Sequence, residues 1–265
     1  MSRDSQPLTE VVVVERLRSA GCVFAEDEAR MLLAEADSPA HLSAMVEART
    51  TGRPLEHVLG YAMFCGLRVA LESGVFVPRR RTEALVTEAV ALARTAGPRP
   101  VVVDLCCGSG AVGAALATAV ERVELYAVEI DPVAARCARR NLGPWAADVY
   151  EGDLFAPLPN NLHGRVDVLV ANVPYVPTDA IATMPPEARI HEPRVALDGG
   201  PDGLEVLRRV TAEAGRWLSA TGSLLVETSE RQASSAVEAF ASGGLVASVV
   251  MDENIGATVV VGKLA

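Results

Sequence analysis

The chain has 265 residues, half of them hydrophobic, which is enough for one large domain with a buried core and a small second domain. Its 24 basic and 34 acidic residues leave a net charge of −10, which opposes attraction to phosphates, so we expect no direct binding of nucleic acid. The longest aliphatic run near the start, Val11 to Val14, is too short for a signal segment or a membrane span, so we expect a cytoplasmic protein without membrane contact.

Three helical patterns come first along the chain. They cover Thr9 to Ala20, Ala25 to Ala36, and a segment that begins at Ser38 and Pro39 and stops near Gly52. A capping serine, a proline in the first turn and terminal glycines are the usual boundaries of helices. We therefore predict a small helical domain over residues 1–58.

The pattern changes after this domain. Between Tyr61 and Val77, β-like stretches on either side of the tripeptide ESG (72–74) predict a hairpin in a linker of residues 59–81. Thr82 is then expected to cap a helix that runs to about Ala96. From there strands and helices alternate to the end of a catalytic domain over residues 82–265. Such alternation predicts an α/β fold with a parallel sheet and helices on both of its faces.

A glycine-rich loop, DLCCGSGAVGAALA, joins the first two strands of this sheet, which we place at Pro100 to Leu105 and Arg122 to Ile130. Gly108 and Gly110 allow a tight turn and a close approach of the backbone to a ligand. The next helix directs its positive amino end to the same space, and Glu129 ends the second strand. A carboxylate there can accept hydrogen bonds from both hydroxyls of a ribose. The pattern predicts a cofactor that carries a ribose.

Two kinds of cofactor are compatible with the glycine-rich loop. Gly108, Gly110 and Gly113 also match the GxGxxG pattern of dinucleotide sites, so a nicotinamide-dependent oxidoreductase is an alternative. However, Asp104 stands before the glycines, where its charge would repel a pyrophosphate. S-adenosylmethionine has no phosphate and carries positive charge. The acidic residue therefore favours S-adenosylmethionine.

Further cofactor-binding residues are expected around this loop. Asp153 and Leu154, in the EGDLF stretch after the third strand, are candidates for the edge and the face of the adenine, and Ile130 follows the ribose-binding Glu129. Cys106 and Cys107 are adjacent and have no matching His/Cys cluster, so we predict small residues filling a turn and no metal site. The odd number of cysteines and the lack of a CxxC pair indicate reduced thiols.

The stretch VANVPYVP places an asparagine at the end of an apolar run. Val166 to Ala171 has the composition of a buried strand, and Asn172 leaves it at the carboxyl end, where open α/β sheets bind ligands. The same stretch is also compatible with an ordinary exit from a strand into a loop, since asparagine and proline are common turn residues.

Together these motifs resemble the class I methyltransferases and, within them, the protein-glutamine methyltransferases that modify the Gly-Gly-Gln loop of peptide chain release factors. The resemblance covers nearly the whole chain. It is carried, in the order of the family, by GVFVPRRRTEALV, DLCCGSGAVGAALA, AVEIDPVAARCARRNL, GDLF, NVPY and EARIHEPRVALDGGPDGL. It implies a Rossmann-like methyltransferase sheet, S-adenosylmethionine as the cofactor, and a helical amino-terminal domain that helps to hold a protein substrate.

The resemblance also assigns roles to the tetrapeptide Asn172, Val173, Pro174 and Tyr175. An amide nitrogen is a poor nucleophile, so its orientation must supply much of the catalysis. The Asn172 side-chain oxygen and the Val173 carbonyl are expected to accept one N–H each from the substrate amide, with Asn172 also beside the cofactor. Tyr175 is expected to stack on the amide or to brace the loop. No strong general base is needed.

Three features depart from the family pattern. Val173 replaces the usual proline, and because Pro174 follows it, its backbone is already restricted to extended conformations. Its side chain is expected to present a different surface to the substrate channel. Cys106 stands in place of the first loop glycine, and Arg80 and Arg81 add charge that would suit an acidic partner.

The segment from Asn172 to Pro201 contains six prolines and no hydrophobic period, which is typical of a functional loop. By resemblance it closes over the substrate, with Glu187, Arg189 and Glu192 bracing it internally. The predicted function is methylation of a glutamine side chain in a release factor by a monomeric enzyme. The alternatives are a divergent methyltransferase acting on another protein, a small molecule or the amine of adenine, the nicotinamide oxidoreductase, and a cofactor-binding protein without catalysis.

Overall fold

The computed structural model describes residues 8–265. Its helices are α1 (Glu10–Ser19), α2 (Ala25–Glu35), α3 (Pro39–Thr50), α4 (Leu55–Leu59), α5 (Glu83–Ala96), α6 (Ala111–Ala119), α7 (Pro132–Leu142), α8 (Pro186–His191), α9 (Glu205–Trp217) and α10 (Ala233–Ser242). Its strands are β1 (Tyr61–Phe64), β2 (Leu67–Ala70), β3 (Val101–Leu105), β4 (Glu124–Glu129), β5 (Asp148–Glu151), β6 (Val166–Ala171), β7 (Leu218–Thr228), β8 (Leu245–Asp252) and β9 (Ala257–Leu264). No helix of the described part is long and apolar enough to cross a bilayer.

A seven-stranded sheet in the order β5-β4-β3-β6-β7-β9-β8 forms the centre of the molecule. Strands β3 to β7 run parallel, and β9 pairs antiparallel with both β7 and β8. The predicted α/β fold is confirmed, but the expected alternation of strands and helices stops at α10. Because β8 and β9 are joined by a tight turn rather than by a helix, they must run antiparallel.

The direction of chain progression reverses on either side of β3. The chain moves outward from β3 through β4 to β5 and then returns to β6 on the other side of β3. A crevice forms at such a switch point outside the carboxyl ends of the strands. All residues of β3 are buried, as expected for a strand covered on both faces. The rigid edge of this crevice is therefore built from β3, β4 and β6.

The amino-terminal helices α1–α4 enclose an apolar cluster of their own. Its buried members include Val13, Leu17, Leu32 and Val46. Helix α3 begins as predicted, because the Ser38 hydroxyl accepts a hydrogen bond from the His41 backbone N–H at 3.1 Å. The first seven residues of the predicted helical domain lie outside the described residues.

The linker differs from its prediction in two details. The hairpin is β1–β2, and its turn is Cys65–Gly66, whereas the ESG tripeptide follows the hairpin. Both turn residues have positive φ, +48° and +75°, which a two-residue hairpin turn requires but which a cysteine does not signal. The predicted helix after Thr82 is α5 and ends at Ala96 as expected, but Thr82 ends a short 3₁₀ turn and its side chain makes no capping hydrogen bond.

Candidate active site

A cleft with a volume of about 200 Å³ lies at the carboxyl ends of β3, β4 and β6. Every predicted site residue lines this cleft except one. The predicted residues that line it are Asp104, Cys106, Gly108, Glu129, Ile130, Asp153, Leu154, Asn172, Val173, Pro174 and Tyr175. Gly110 is the exception. The structure thus gathers residues from four separate sequence motifs into one site.

Gly110 shapes the glycine loop from behind rather than lining the cleft. It has a φ of +77°, and a Cβ at this position would lie 3.0 Å from Leu142 Cγ and 3.2 Å from Ala138 Cα. Both the conformation and the close approach of α7 therefore require glycine. Cys106 also has a positive φ, +55°, which explains why the family usually has a glycine there. Burial raises the pKa of the Cys106 and Cys107 thiols, so both stay protonated.

Glu129 accepts hydrogen bonds from two backbone N–H groups. Its Oε2 accepts from Gly108 at 2.7 Å, and its Oε1 accepts from Asp131 at 2.9 Å. Each carboxylate oxygen has a second lone pair, so two acceptor positions remain for a pair of hydroxyls. Burial raises the pKa of Glu129, although the backbone donors oppose this shift.

Asp104 is a second buried acid in the cleft. Its Oδ2 accepts a hydrogen bond from the Gly113 N–H, near the start of α6, at 2.9 Å. Burial raises its pKa to about 7, and the negative charge of Glu129 adds to this shift. Burial disfavours the charged forms of both acids. A positive charge between the two carboxylates would stabilise these charged forms. The cleft is therefore suited to a cationic ligand and unsuited to a pyrophosphate.

The remaining cofactor candidates fit a flat base and polar groups. Ile130 and Leu154 both line the cleft, so both offer apolar surface to a ligand there. Asp153 is not free, because Arg209 donates to its Oδ2 at 2.6 Å. Ser109, which the sequence did not indicate, has a buried hydroxyl that lines the cleft without a partner among residues 8–265. Together these groups fit S-adenosylmethionine.

Among residues 8–265, the amide group of Asn172 contacts Thr82. Its Nδ2 donates to the Thr82 hydroxyl at 3.4 Å, a contact that the sequence did not indicate. Because an amide nitrogen only donates, this contact orients the side chain, and the Oδ1 oxygen is the end that can accept from a ligand. The position is the one predicted, at the end of β6.

Val173 combines a place in the cleft lining with a buried side chain. It lines the cleft, but it is 2% exposed and belongs to the hydrophobic cluster that includes Leu154 and Leu204. Its apolar side chain is therefore used in packing. A different side-chain surface toward the substrate channel stays a prediction.

Tyr175 braces the loop. Its hydroxyl donates to Glu227 Oε1 at 3.2 Å, and its backbone carbonyl accepts from Gln232 Nε2 at 3.0 Å. Burial and the Glu227 charge raise the pKa of Tyr175 to about 12. Arg81 donates to the same Glu227 oxygen at 3.1 Å, so it has an acidic partner within this chain. An acidic partner protein for Arg80 and Arg81 stays a prediction.

Glu187 and Glu192 tie the segment between β6 and α9 to the amino-terminal part of the chain, whereas they were expected to brace the segment internally. Glu192, which is buried, accepts from Arg79 Nη2 at 2.7 and 2.6 Å. Glu187 lies 3.3 Å from Arg49 of α3. Arg189 belongs to α8 but takes no part in these two ion pairs. The loop is therefore held against α3 and the linker.

Two comparisons with known proteins decide the family. A family model described as "Methyltransferase small domain" matches residues 67–200, about half of the chain. A release factor glutamine methyltransferase of Mycolicibacterium smegmatis is 40% identical over 224 residues, which cover 82% of this chain and 78% of that protein. The chain belongs to the release factor glutamine methyltransferase family.

The chain is also similar to a protein that is named for another acceptor. The 4-amino-L-phenylalanine/4-methylamino-L-phenylalanine methyltransferase of Streptomyces pristinaespiralis is 37% identical over 203 residues, covering 75% of this chain and 69% of that protein. Among solved structures, a ribosomal protein L11 methylase from Lactobacillus delbrueckii has the same fold, with a TM-score of 0.51 and 15% identity, covering 71% of this chain and 81% of that one.

Membership of this methyltransferase family makes S-adenosylmethionine the cofactor, and the nicotinamide alternative is wrong. It also makes the chain an enzyme, so the alternative of a binding protein without catalysis is wrong as well. Among residues 8–265, no three His, Cys, Asp or Glu side chains are grouped as a metal site would need.

Proposed function

We propose that this methyltransferase modifies the side-chain amide nitrogen of a glutamine in a protein, and that the protein is a peptide chain release factor. The observation that carries the proposal is the state of Asn172 in the cleft. Its Nδ2 donates to Thr82 and its Oδ1 remains to accept. An acceptor oxygen at the carboxyl end of β6 suits a substrate group that carries N–H donors, such as a primary amide.

Binding and orientation account for the catalysis. S-adenosylmethionine supplies an electrophilic methyl group when bound, and Glu129, Asp104 and Ser109 are the residues that would hold it. The Asn172 side-chain oxygen and the Val173 carbonyl each accept one N–H of the substrate amide, which fixes the plane of a weakly nucleophilic nitrogen. As that nitrogen gains positive charge, the same two acceptors stabilise the transition state, and the proton then leaves without a strong base.

The three-part division into residues 1–58, 59–81 and 82–265 forms part of this proposal. In this division the helical domain holds the protein substrate beside the cleft. The separate apolar cluster of α1–α4 supports such a unit, as does the contact of Arg49 with Glu187 in the segment above the cleft. A cytoplasmic location, a monomeric state and no direct contact with nucleic acid are proposed with it.

A second candidate acceptor is a small aromatic amine. It is favoured by the relative that is named for 4-amino-L-phenylalanine and by an apolar lining of the cleft that includes Phe64, Phe76 and Met184. An aromatic amine presents the same two N–H donors to Asn172 and Val173 as an amide does.

The test compares the two acceptors in separate reactions. The enzyme is incubated with isotopically labelled S-adenosylmethionine and either a release factor domain with an intact Gly-Gly-Gln loop or 4-amino-L-phenylalanine. A release factor domain whose loop glutamine is changed to alanine is the control. We expect label in the intact domain only. Label in the small molecule alone would overturn the proposal in favour of the second candidate.

A further inference from the structure

Glu227 is a buried acid that touches the tetrapeptide without lining the cleft. It lies near the carboxyl end of β7 and is 1% exposed. Its Oε1 accepts from the Tyr175 hydroxyl at 3.2 Å and from Arg81 Nε at 3.1 Å. A charge this deeply buried is costly unless hydrogen bonds and an opposite charge compensate it. Both groups that compensate Oε1 come from residues that line the cleft, whereas Oε2 is buried without a hydrogen-bond partner among residues 8–265.

The contacts of Tyr175 fix this residue at two points. Glu227 holds the end of its ring, and Gln232 Nε2 donates to its backbone carbonyl at 3.0 Å. Gln232 is itself held, because its Oε1 accepts from the Ser229 hydroxyl at 2.6 Å. A residue that is held at its ring and at its backbone has little freedom to rotate. The two peptide units before it, which include the Val173 carbonyl, are restricted as a result.

At the other end of the tetrapeptide, Thr82 accepts from the Asn172 amide. Thr82 directly follows Arg81 in the chain. The short turn Arg80–Thr82 therefore contacts both ends of the tetrapeptide, one directly and one through Glu227. This arrangement makes the position of the acceptor oxygens depend on Glu227, which lies outside the cleft.

We propose that Glu227 is a positioning residue for methyl transfer: through the Tyr175 hydroxyl and Arg81 it holds the Asn172–Tyr175 backbone in the orientation that presents two acceptor oxygens to the substrate. The expected kinetic effect rests on the proposed function, whereas the contact between Glu227 and Tyr175 does not. A displacement of the acceptors by about 1 Å is enough to lower turnover by about a hundredfold.

Two substitutions test the hydrogen bond between Glu227 and Tyr175, one at each of its ends. Glu227→Gln keeps the shape and an acceptor oxygen but removes the charge that strengthens both hydrogen bonds. Tyr175→Phe removes only the hydroxyl. We expect each to lower kcat for the glutamine acceptor by about tenfold or more, with the Kd for S-adenosylmethionine unchanged. The double variant should be no slower than the slower single variant, because both substitutions break one link.

Glu230→Gln is the matched control, because Glu230 is exposed and lies three positions further along the chain. It should leave kcat and KM unchanged. Wild-type values of kcat in Tyr175→Phe and Glu227→Gln would overturn the proposal. If Glu227→Gln does not fold, Tyr175→Phe alone decides between the two outcomes.

A second measurement needs no acceptor and separates this proposal from the proposed function. Ring signals of ¹³C-labelled tyrosine are recorded on the free protein, and the Tyr175 signal is assigned by its loss in Tyr175→Phe. We expect this signal to shift in Glu227→Gln and to stay in place in Glu230→Gln. An unshifted signal would contradict the contact. If the signal shifts but the wild-type enzyme methylates no glutamine, the proposed function fails while the brace between Glu227 and Tyr175 stands.

Discussion

Each carboxylate oxygen of Glu129 accepts one backbone N–H, so each has a second lone pair that can accept from a ligand. If these lone pairs bind the ribose, Glu129→Ala should weaken S-adenosylmethionine binding by about 1.5–3 kcal/mol for each charge-assisted hydrogen bond that is lost. Titration calorimetry measures the change. Glu121→Ala, at an exposed position, is the control and should bind like the wild type. An unchanged Kd in Glu129→Ala would rule out the ribose assignment.

Asp104 makes two properties depend on pH in opposite directions. These are the stability of the free protein and its affinity for the cofactor. Burial raises its pKa from the ordinary value of 3.8 to about 7, so the folded protein favours the protonated form. This group stabilises the free protein fully below about pH 4, and the contribution is lost as the pH rises to about 7. A cationic cofactor reverses the preference, because it favours the carboxylate.

We therefore expect the affinity for S-adenosylmethionine to rise as the pH increases to about 7 and to level off above it, and this rise to be absent in Asp104→Asn. In the free protein, the free energy of unfolding of the wild type relative to Asp104→Asn should fall between about pH 4 and about pH 7. Calorimetric titrations and denaturant melts across this range test both statements. A parallel pH profile of binding for the two proteins would contradict them.

Among the elements, the turn from β3 into α6 contains a residue that fits its backbone poorly. Cys106 has a φ of +55°, a region that costs a non-glycine residue about 1–2 kcal/mol. Part of this cost is offset because glycine loses more conformational freedom on folding. We expect Cys106→Gly to raise the free energy of unfolding by up to about 1 kcal/mol.

Denaturant unfolding measures this change. Cys22→Gly is the control, because Cys22 is not among the residues with positive φ, and it should lower stability instead. If Cys106→Gly were destabilised as much as Cys22→Gly, backbone strain at this turn would not be the reason for the family's glycine.

Residues at the ends of strands could be predicted from the sequence, whereas contacts between distant elements could not. Glu129 and Asn172 could be placed because each ends a continuous apolar run, and the ends of parallel strands share one edge of the sheet. Glu227 ends a similar run in β7, but its partner Arg81 lies 146 positions earlier, and no local pattern links the two. The hairpin turn was misplaced because Cys65 is not a residue that typically signals a turn.

At the scale of the whole molecule, Arg49 connects three parts of the chain. It donates to Glu28 of α2 at 2.6 and 3.1 Å and lies 3.3 Å from Glu187 of α8. The Arg49 and Glu28 side chains are only 11% and 10% exposed, so the removal of one leaves the other buried without its charge partner. Arg49→Ala should lower the free energy of unfolding by about 3 kcal/mol.

Arg30→Ala, which breaks an exposed ion pair with Asp27, is the matched control and should cost less than about 1 kcal/mol. We also expect Arg49→Ala to raise KM for the protein acceptor while the cofactor Kd stays the same, because α8 loses its contact with the helical domain. Equal stability losses in the two variants would show that the Arg49 contact is no stronger than a surface ion pair.

The central claim is that Asn172 orients the nitrogen that is methylated. The most direct test is a single-turnover experiment at saturating S-adenosylmethionine, with the methylated glutamine of the release factor domain quantified by mass spectrometry. Wild type and Asn161→Ala, at an exposed position, should methylate at the same rate. Asn172→Ala should transfer no measurable methyl group and bind the cofactor within a few-fold of wild type, whereas wild-type turnover in Asn172→Ala would contradict the account.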